Sequence, residues 1–362
     1  MNTILVTSTA DGTGKTAIGI ALARLARARG ATVGYMKPKG TRLQSVTGKT
    51  RDEDPMLAKT LLDLDAEMHE LEPVVYSQTF VEGALRGQED PTALRERIRE
   101  HFENLASDAD LMVLEGNRLW TGGIVDLTDA DVAALLDART ILVTRYTGPG
   151  DVDDVLAAVD DVGDRLEGVL FNAVPDAAYD RLGEDVVPFL EGRGVPVVGA
   201  IPRDPRLAGV PVADLAESLG ARVLTADAAT DTPVERFTVG AMGSDSALKF
   251  FRRTRNAVVI TGGDRPDVQR AALEASGVEA LLLTGGYRPP SAVLGKAEER
   301  GVPVLLVDTD TRTTIDRTET VLHAGRTRNE ATVDRMADLL SDAVDVDALL
   351  GLGGGTSTTG DA

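Results

Sequence analysis

The chain contains no cysteine, which excludes disulfides, thiolate nucleophiles and cysteine zinc sites. Histidine is nearly as scarce: His69, His101 and His323 are scattered and form no metal-ligand spacing. No apolar run reaches the roughly 18 residues that a membrane-spanning helix needs, and the opening MNTILVTST has no basic segment ahead of a long apolar one. A cytoplasmic protein with no membrane partner is expected. Basic residues are the minority. Against 58 Asp and Glu stand 38 Lys and Arg, giving a formal net charge of −20 and a pI near 4.6, and the summed field opposes binding to a phosphate backbone. No nucleic-acid partner is expected.

What is present indicates two globular domains. At 362 residues and 43% hydrophobic content the chain can bury two cores. Only seven lysines accompany thirty-one arginines, and the acid excess is spread along the whole chain, a pattern that fits adaptation to high salt and a halophilic archaeal source. Apolar runs at TILVT (3–7), VGYM (33–36), LMVL (111–114), TILVT (140–144), GVLF (168–171) and VPVVGAI (195–201) alternate with segments of helical periodicity. Those segments include 16–29, 91–105, 151–162 and 179–193. Short continuous strands alternating with helices predict an α/β fold with a parallel sheet covered on both faces. The polar stretch TADAATDTPVER predicts a linker over 225–236, with a first domain over 1–224. A second, smaller α/β domain is predicted over 237–350, with strands AVVI (257–260), ALLL (280–283) and VPVLLV (302–307). A Gly- and Thr-rich disordered tail is expected over 351–362.

The strongest motif is the segment from Ser8 to Thr16, STADGTGKT, between the first strand and the first helix. Glycines let a backbone wrap its N–H groups around phosphate oxygens, and the helix N-terminus adds positive potential. On this reading Thr9, Asp11, Gly12, Thr13 and Gly14 form the cradle, Lys15 reaches the β and γ phosphates, and Thr16 ligates magnesium. Thr9 stands where the first glycine of G-x-x-x-x-G-K-T is usual. Glu115, directly after LMVL, puts a carboxylate at the carboxyl edge of the sheet, where open α/β folds bind ligands. Asp52 and Asp54 in RDED (51–54) are further candidates, and Lys37, ahead of Pro38, places an ammonium at the same edge. Asn172 in FNAVP (171–175) follows another strand, as a base-reading amide or an ordinary turn residue. In the second half, Thr261-Gly262-Gly263-Asp264-Arg265 and Thr284-Gly285-Gly286 each follow a buried strand, either as ligand loops or as tight turns.

Together the loop, Lys37-Pro38, Glu115-Gly116 and Asn172-x-x-Pro175 resemble dethiobiotin synthetase and its cobyrinic acid amidating relatives over about residues 1–224. The resemblance implies ATP and Mg2+ as cofactors. It assigns phosphate and metal contacts to Lys15, Thr16, Asp54 and Glu115, a phosphate and substrate contact to Lys37 as the catalytic candidate, and adenine contacts to Asn172 and Pro175. Two departures stand out: the family's first loop glycine is Ser8 here, and Lys39-Gly40-Thr41 replaces the small substrate-binding turn. Partitioning ATPases of the same fold carry an extra lysine where this chain has Ala10, which disfavours their ATP-sandwich dimer.

The later motifs VGAM (239–242), AVVITGGDRPDVQ (257–269), LLTGGYRPP (282–290), GVPVLLV (301–307), Thr313-Thr314 and GRTR (325–328) resemble the DRTGG domain. That pair of domains is similar to the N-terminal region of long phosphate acetyltransferases. The resemblance implies a nucleotide-sensing regulatory protein without acetyltransferase activity, acting on an enzyme of acetyl-CoA and acetate metabolism, with a homo-oligomer expected by analogy. The alternative is an ATP-dependent carboxylate ligase that amidates or cyclises its substrate, and a third reading is an assembly scaffold with a relic site. Gly262, Gly263, Asp264, Arg265, Thr284, Gly285 and Gly286 are the candidates for a ligand of the second domain.

Overall fold

The run NTILVTS forms β1 (Asn2–Ser8) at the centre of the first unit in a computed structural model that describes residues 1–41, 43–46, 49–226, 228–324 and 330–351. Its residues from Thr3 to Ser8 are all buried, as a strand covered on both faces requires. Helix α1 (Lys15–Ala28) follows, then β2 (Val33–Met36), α2 (Glu53–Leu61), β3 (Leu111–Arg118), β4 (Arg139–Thr144), β5 (Leu166–Val174) and β6 (Val197–Pro202). The six strands are parallel, in the order β6-β5-β4-β1-β3-β2. Their carboxyl ends therefore line one edge. Val6 pairs with Glu115 and Thr144 with Phe171, so the residues just past each strand meet there. Leu5, Met36 and Leu114 anchor a core on one side with Ile98 and Phe102 of helix Pro91–Ala106.

Two compact units result. The first holds residues 1–203 together with helices Glu330–Ala343 and Val346–Leu350; the second holds residues 204–328. This division differs from the sequence reading in three places, the first being that the main run of the first unit ends at 203 and not at 224. The stretch 225–236 is polar but is no linker: Pro233–Val234 pairs antiparallel with Val210–Pro211, and Thr225 and Val234 are buried. Helix Glu330–Ala343 packs on α1, and that cover explains why α1 is buried almost without a break from Thr16 to Ala23. Arg24 reaches Glu330 at 2.8 Å and also Asp334, and these solvent-exposed pairs add orientation more than stability. Of the expected tail 351–362, Gly351 ends the last helix in the left-handed conformation and the remainder lies outside the described residues.

In the second unit β7 (Arg222–Val223), β8 (Arg236–Val239), β9 (Ala257–Gly262), β10 (Val278–Thr284) and β11 (Val304–Leu306) form a sheet ordered β7-β11-β10-β9-β8. Only β7 runs antiparallel. Helices α3 (Ser244–Phe251), α4 (Pro266–Leu273) and α5 (Ser291–Glu299) pack on one face through Phe251, Val268 and Val293. Helix α6 (Thr311–Ala324) joins Val212–Leu219 over the other. The segment 179–193, expected as one helix, is interrupted by a π turn at Leu182–Val186. Pro188 has no N–H to continue the ladder there.

Candidate functional site

The loop between β1 and α1 takes its shape from two glycines. Gly12 (φ 65°) and Gly14 (φ 92°) are left-handed, and Gly14 caps α1 without a side-chain hydrogen bond. Lys15 Nζ folds back onto Ser8 Oγ at 2.7 Å. Burial lowers the pKa of that ammonium, and the nearby carboxylates of Glu115, Asp129 and Asp11 act against the shift. Thr13 Oγ1 is buried with no hydrogen-bond partner among the described residues, and Asp11 is exposed. Thr9 Oγ1 lies 3.1 Å from Thr144 Oγ1, which ties the start of the loop to the end of β4.

Beside the loop, Thr16 Oγ1 donates to Glu115 Oε1 at 2.6 Å and Tyr35 OH to Glu115 Oε2 at 2.7 Å. Lys37 Nζ bonds Asp54 Oδ2, sits 2.9 Å from Asp52 Oδ2 and lies 3.7 Å from Glu115 Oε1. All four charged groups are buried. Burial alone would lower the pKa of Lys37; the carboxylates of Glu115, Asp54 and Asp52 overcome it and hold the ammonium firmly protonated. Desolvation and the charge of Asp54 raise Glu115, against the pull of Lys37. Asp52 is held twice more: it caps α2 by accepting from Asp54 N–H at 2.8 Å, and it accepts from Thr41 N–H at 2.7 Å. The structure thus gathers Thr16, Lys37, Asp54 and Glu115 into one cluster at the edge of the loop.

The donor set suits magnesium chemically. A hydroxyl that gives its proton to Glu115 keeps its lone pairs for a metal, and magnesium typically takes one or two carboxylates and completes its shell with water and phosphate. Among the described residues no group of three His, Asp or Glu is arranged to hold a metal without such help, because Lys37 stands between the carboxylates. The loop suits phosphate by the same measure, with its glycine conformations and the unpartnered Thr13 hydroxyl.

Asn172 does not stand as a free reader of a base edge. Its Nδ2 donates to Thr13 O at 2.8 Å and its Oδ1 accepts from Ala173 N–H at 2.9 Å, so the amide braces the loop. Pro175 starts the helix Asp176–Arg181 just beyond β5. Arg145, which the sequence analysis passed over, donates from Nη2 to Gly12 O.

Two further buried charges also escaped the sequence. Asp129 accepts from Thr7 Oγ1 at 2.6 Å and Asn117 N–H at 2.7 Å, and it pairs with Lys39 Nζ at 3.0 Å. Its Oδ2 would stand 2.2 Å from a Cβ on residue 116, so only glycine fits after Glu115. Glu72 is buried against Gly40, with Oε2 accepting from Asp52 N–H at 3.0 Å and Oε1 without a hydrogen-bond partner among the described residues. Desolvation, with Asp52 nearby, raises its pKa from 4.5 to about 7. Between those values the unfolded chain has released a proton that the fold retains, so stability falls as pH rises from about 4.5 to about 7. Glu72→Gln is therefore expected to be more stable than the parent at pH 8, by on the order of 2 kcal/mol, with the gain gone by pH 4.5. Urea unfolding at the two pH values checks this; a gain independent of pH would refute it.

In the second unit β9 and β10 bring the two Thr-Gly-Gly loops side by side, with Gly262 paired to Thr284. The loops are largely self-satisfied. A Cβ on residue 263 would lie 1.9 Å from Tyr287 O, Gly285 and Gly286 have φ of 81° and 73°, and Gln269 Nε2 donates to the carbonyls of Gly262 and Gly263 at 2.9 and 3.1 Å. Thr284 Oγ1 bonds Thr311 Oγ1 at 2.8 Å, and Arg265 donates to Met242 O at 2.9 Å. Asp264 is exposed and its Oδ1 packs over Gly262. Every glycine of the pair thus has a turn or a close contact to account for it. The GRTR motif (325–328) lies outside the described residues.

Residues 2–210 match the AAA domain family and residues 214–321 the DRTGG domain family. The phosphate acetyltransferase of Pseudomonas putida is 28% identical over 338 residues, covering 85% of this chain and 46% of that protein. The chain spans about half the length of the phosphate acetyltransferases it matches. The ATP-dependent dethiobiotin synthetase of Methanococcus vannielii is 26% identical over 207 residues, 55% of this chain and 92% of that protein. Among solved structures, cobyrinic acid a,c-diamide synthase from Mycobacterium smegmatis is 16% identical with a TM-score of 0.36, covering 56% of this chain and 87% of that one. Among the described residues no helix is long and apolar enough to cross a membrane. With its parallel-sheet P-loop unit and the domain that follows it, the chain belongs to the AAA domain family and carries a DRTGG domain.

Proposed function

We propose that the first unit binds Mg·ATP and that the protein is a nucleotide-sensing regulator related to the N-terminal region of phosphate acetyltransferases. The observation that carries this reading is the Thr16–Glu115–Lys37–Asp54 cluster set against a glycine loop whose Thr13 hydroxyl is unpartnered. Lys15 and Thr16 meet the phosphates and the metal, Asp54 and Glu115 complete the oxygen set, and the bound ion supplies charge neutralisation for the phosphates. Lys37, fully engaged by three carboxylates, serves as their counter-charge, which speaks for sensing over an amidating or cyclising ligase. The regulated partner in this proposal is an enzyme of acetyl-CoA and acetate metabolism, met by a homo-oligomer in the cytoplasm, and the match to phosphate acetyltransferases supports that choice.

Lys15→Ala is expected to weaken Mg·ATP binding by about 1.5 to 3 kcal/mol, the scale of a charge-assisted hydrogen bond. Calorimetry of parent and variant with ATP and ADP, with and without magnesium, measures it. Equal affinity in the two proteins would sink the assignment. ADP release that depends on an added carboxylic acid would establish the ligase reading instead.

A further inference from the structure

We infer that Arg145 and Asn172 act from behind the loop as positioning residues, holding two successive carbonyls outward so that the amides of Thr13 and Gly14 face the phosphates. A trans peptide is planar, and its C=O and N–H point in opposite directions; the described residues contain no cis peptide bond. Arg145 Nη2 donates to Gly12 O, which belongs to the same peptide plane as Thr13 N–H. Asn172 Nδ2 donates to Thr13 O at 2.8 Å, in the plane that carries Gly14 N–H. Fixing the two carbonyls therefore fixes both amides on the opposite side. Consecutive amides turned to one side make an anion-binding concavity.

Each clasp is itself held. Asn172 is buried, its Oδ1 accepts from Ala173 N–H at 2.9 Å, and Ala173 sits in the left-handed region at φ 55°. A Cβ at residue 14 would stand 2.5 Å from Asn172 Nδ2, and the φ of 92° disfavours any side chain there, so glycine at 14 lets the asparagine approach the loop. Arg145 directly follows Thr144, whose hydroxyl lies 3.1 Å from that of Thr9 at the start of the loop. The local sequence left Asn172 open as a base-reading amide or a turn residue, and the family resemblance implied adenine. The geometry points to phosphate recognition instead, at one remove.

This inference rests on the Mg·ATP reading, and its test separates the two. ATP, ADP and inorganic tripolyphosphate are titrated into the parent, Arg145→Ala, Asn172→Ala, Arg145→Lys and Lys15→Ala. Both alanine variants are expected to bind all three ligands at least tenfold more weakly and to the same degree, and Arg145→Lys to recover much of the loss because an ammonium still donates to Gly12 O. Weaker binding of ATP and ADP with tripolyphosphate unchanged would mean a base contact and overturn the inference. If the parent and Lys15→Ala bind alike, the nucleotide reading itself falls. A readout without ligand then decides the positioning role: NMR order parameters of the Thr13 and Gly14 amides should fall in each alanine variant relative to the parent, with those of the strands of both units unchanged as the sign of an intact fold. Unaltered order parameters at both amides would overturn it.

Discussion

Lys37→Met should destabilise the first unit by about 3 to 5 kcal/mol, because it removes the ammonium that three buried carboxylates share. Asp52, Asp54 and Glu115 converge on one ammonium, and no other cation lies within ion-pair distance of all three among the described residues. Methionine fills much the same volume, so the loss reads electrostatics more than a cavity. Two units within one chain complicate a global unfolding curve. The single tryptophan, Trp120, lies in the first unit and donates to Asp161 at 2.5 Å, so its fluorescence in urea follows that unit alone. In metal-free buffer the penalty should shrink as pH falls, since Glu115, raised by desolvation and relieved of the opposing pull of Lys37, then takes up a proton more readily in the fold than in the open chain. A loss below about 1 kcal/mol, or one that grows on acidification, would show that the carboxylates do not depend on Lys37.

How far the sequence could be read depended on whether a residue's partner lies near it along the chain. The runs at 3–7, 33–36, 111–114 and 140–144 announce strands by their own composition, and the Gly-rich segment between β1 and α1 announces a phosphate loop. Lys37 was legible because a charged residue directly after a buried strand sits at the carboxyl edge, and Glu115 because a charge breaks the apolar run 111–114, although β3 continues past it to Arg118. Asp129 and Glu72 were not. Thr7 and Asp129 are 122 positions apart, and nothing local distinguishes one buried aspartate or glutamate among 58 acidic residues. The polar stretch 225–236 misled for a related reason: composition reports exposure of most side chains, whereas burial of Thr225, Val234 and Glu235 and the pairing of Pro233–Val234 hold the segment within the second unit. Helix Glu330–Ala343 carries an apolar face, but no sequence signal says that the face belongs to α1 and not to the sheet that precedes it in the chain.

Asp129→Ala is expected to cost about 3 to 5 kcal/mol in the same fluorescence assay, and a double replacement should recover most of it. Asp129 sits under Gly116 and holds three donors at once: the hydroxyl of Thr7 at the end of β1, the Asn117 amide of β3 and the buried ammonium of Lys39. Removing it leaves Lys39, 1% exposed, with the carbonyls of Thr121 and Leu127 but no counter-charge among the described residues. The cost is then that of an unpaired buried ion, which exceeds the net worth of the pair itself. Lys39→Met combined with Asp129→Leu removes both charges and fills the space, so the double variant should be more stable than Asp129→Ala alone by about 2 kcal/mol or more. Additive losses in the double variant would instead mean that Asp129 acts through Thr7 and Asn117, fixing the carboxyl ends of β1 and β3 independently of Lys39. The two outcomes also differ at the phosphate loop, which leaves directly from Ser8: only in the second case should the double variant bind Mg·ATP as poorly as the single one.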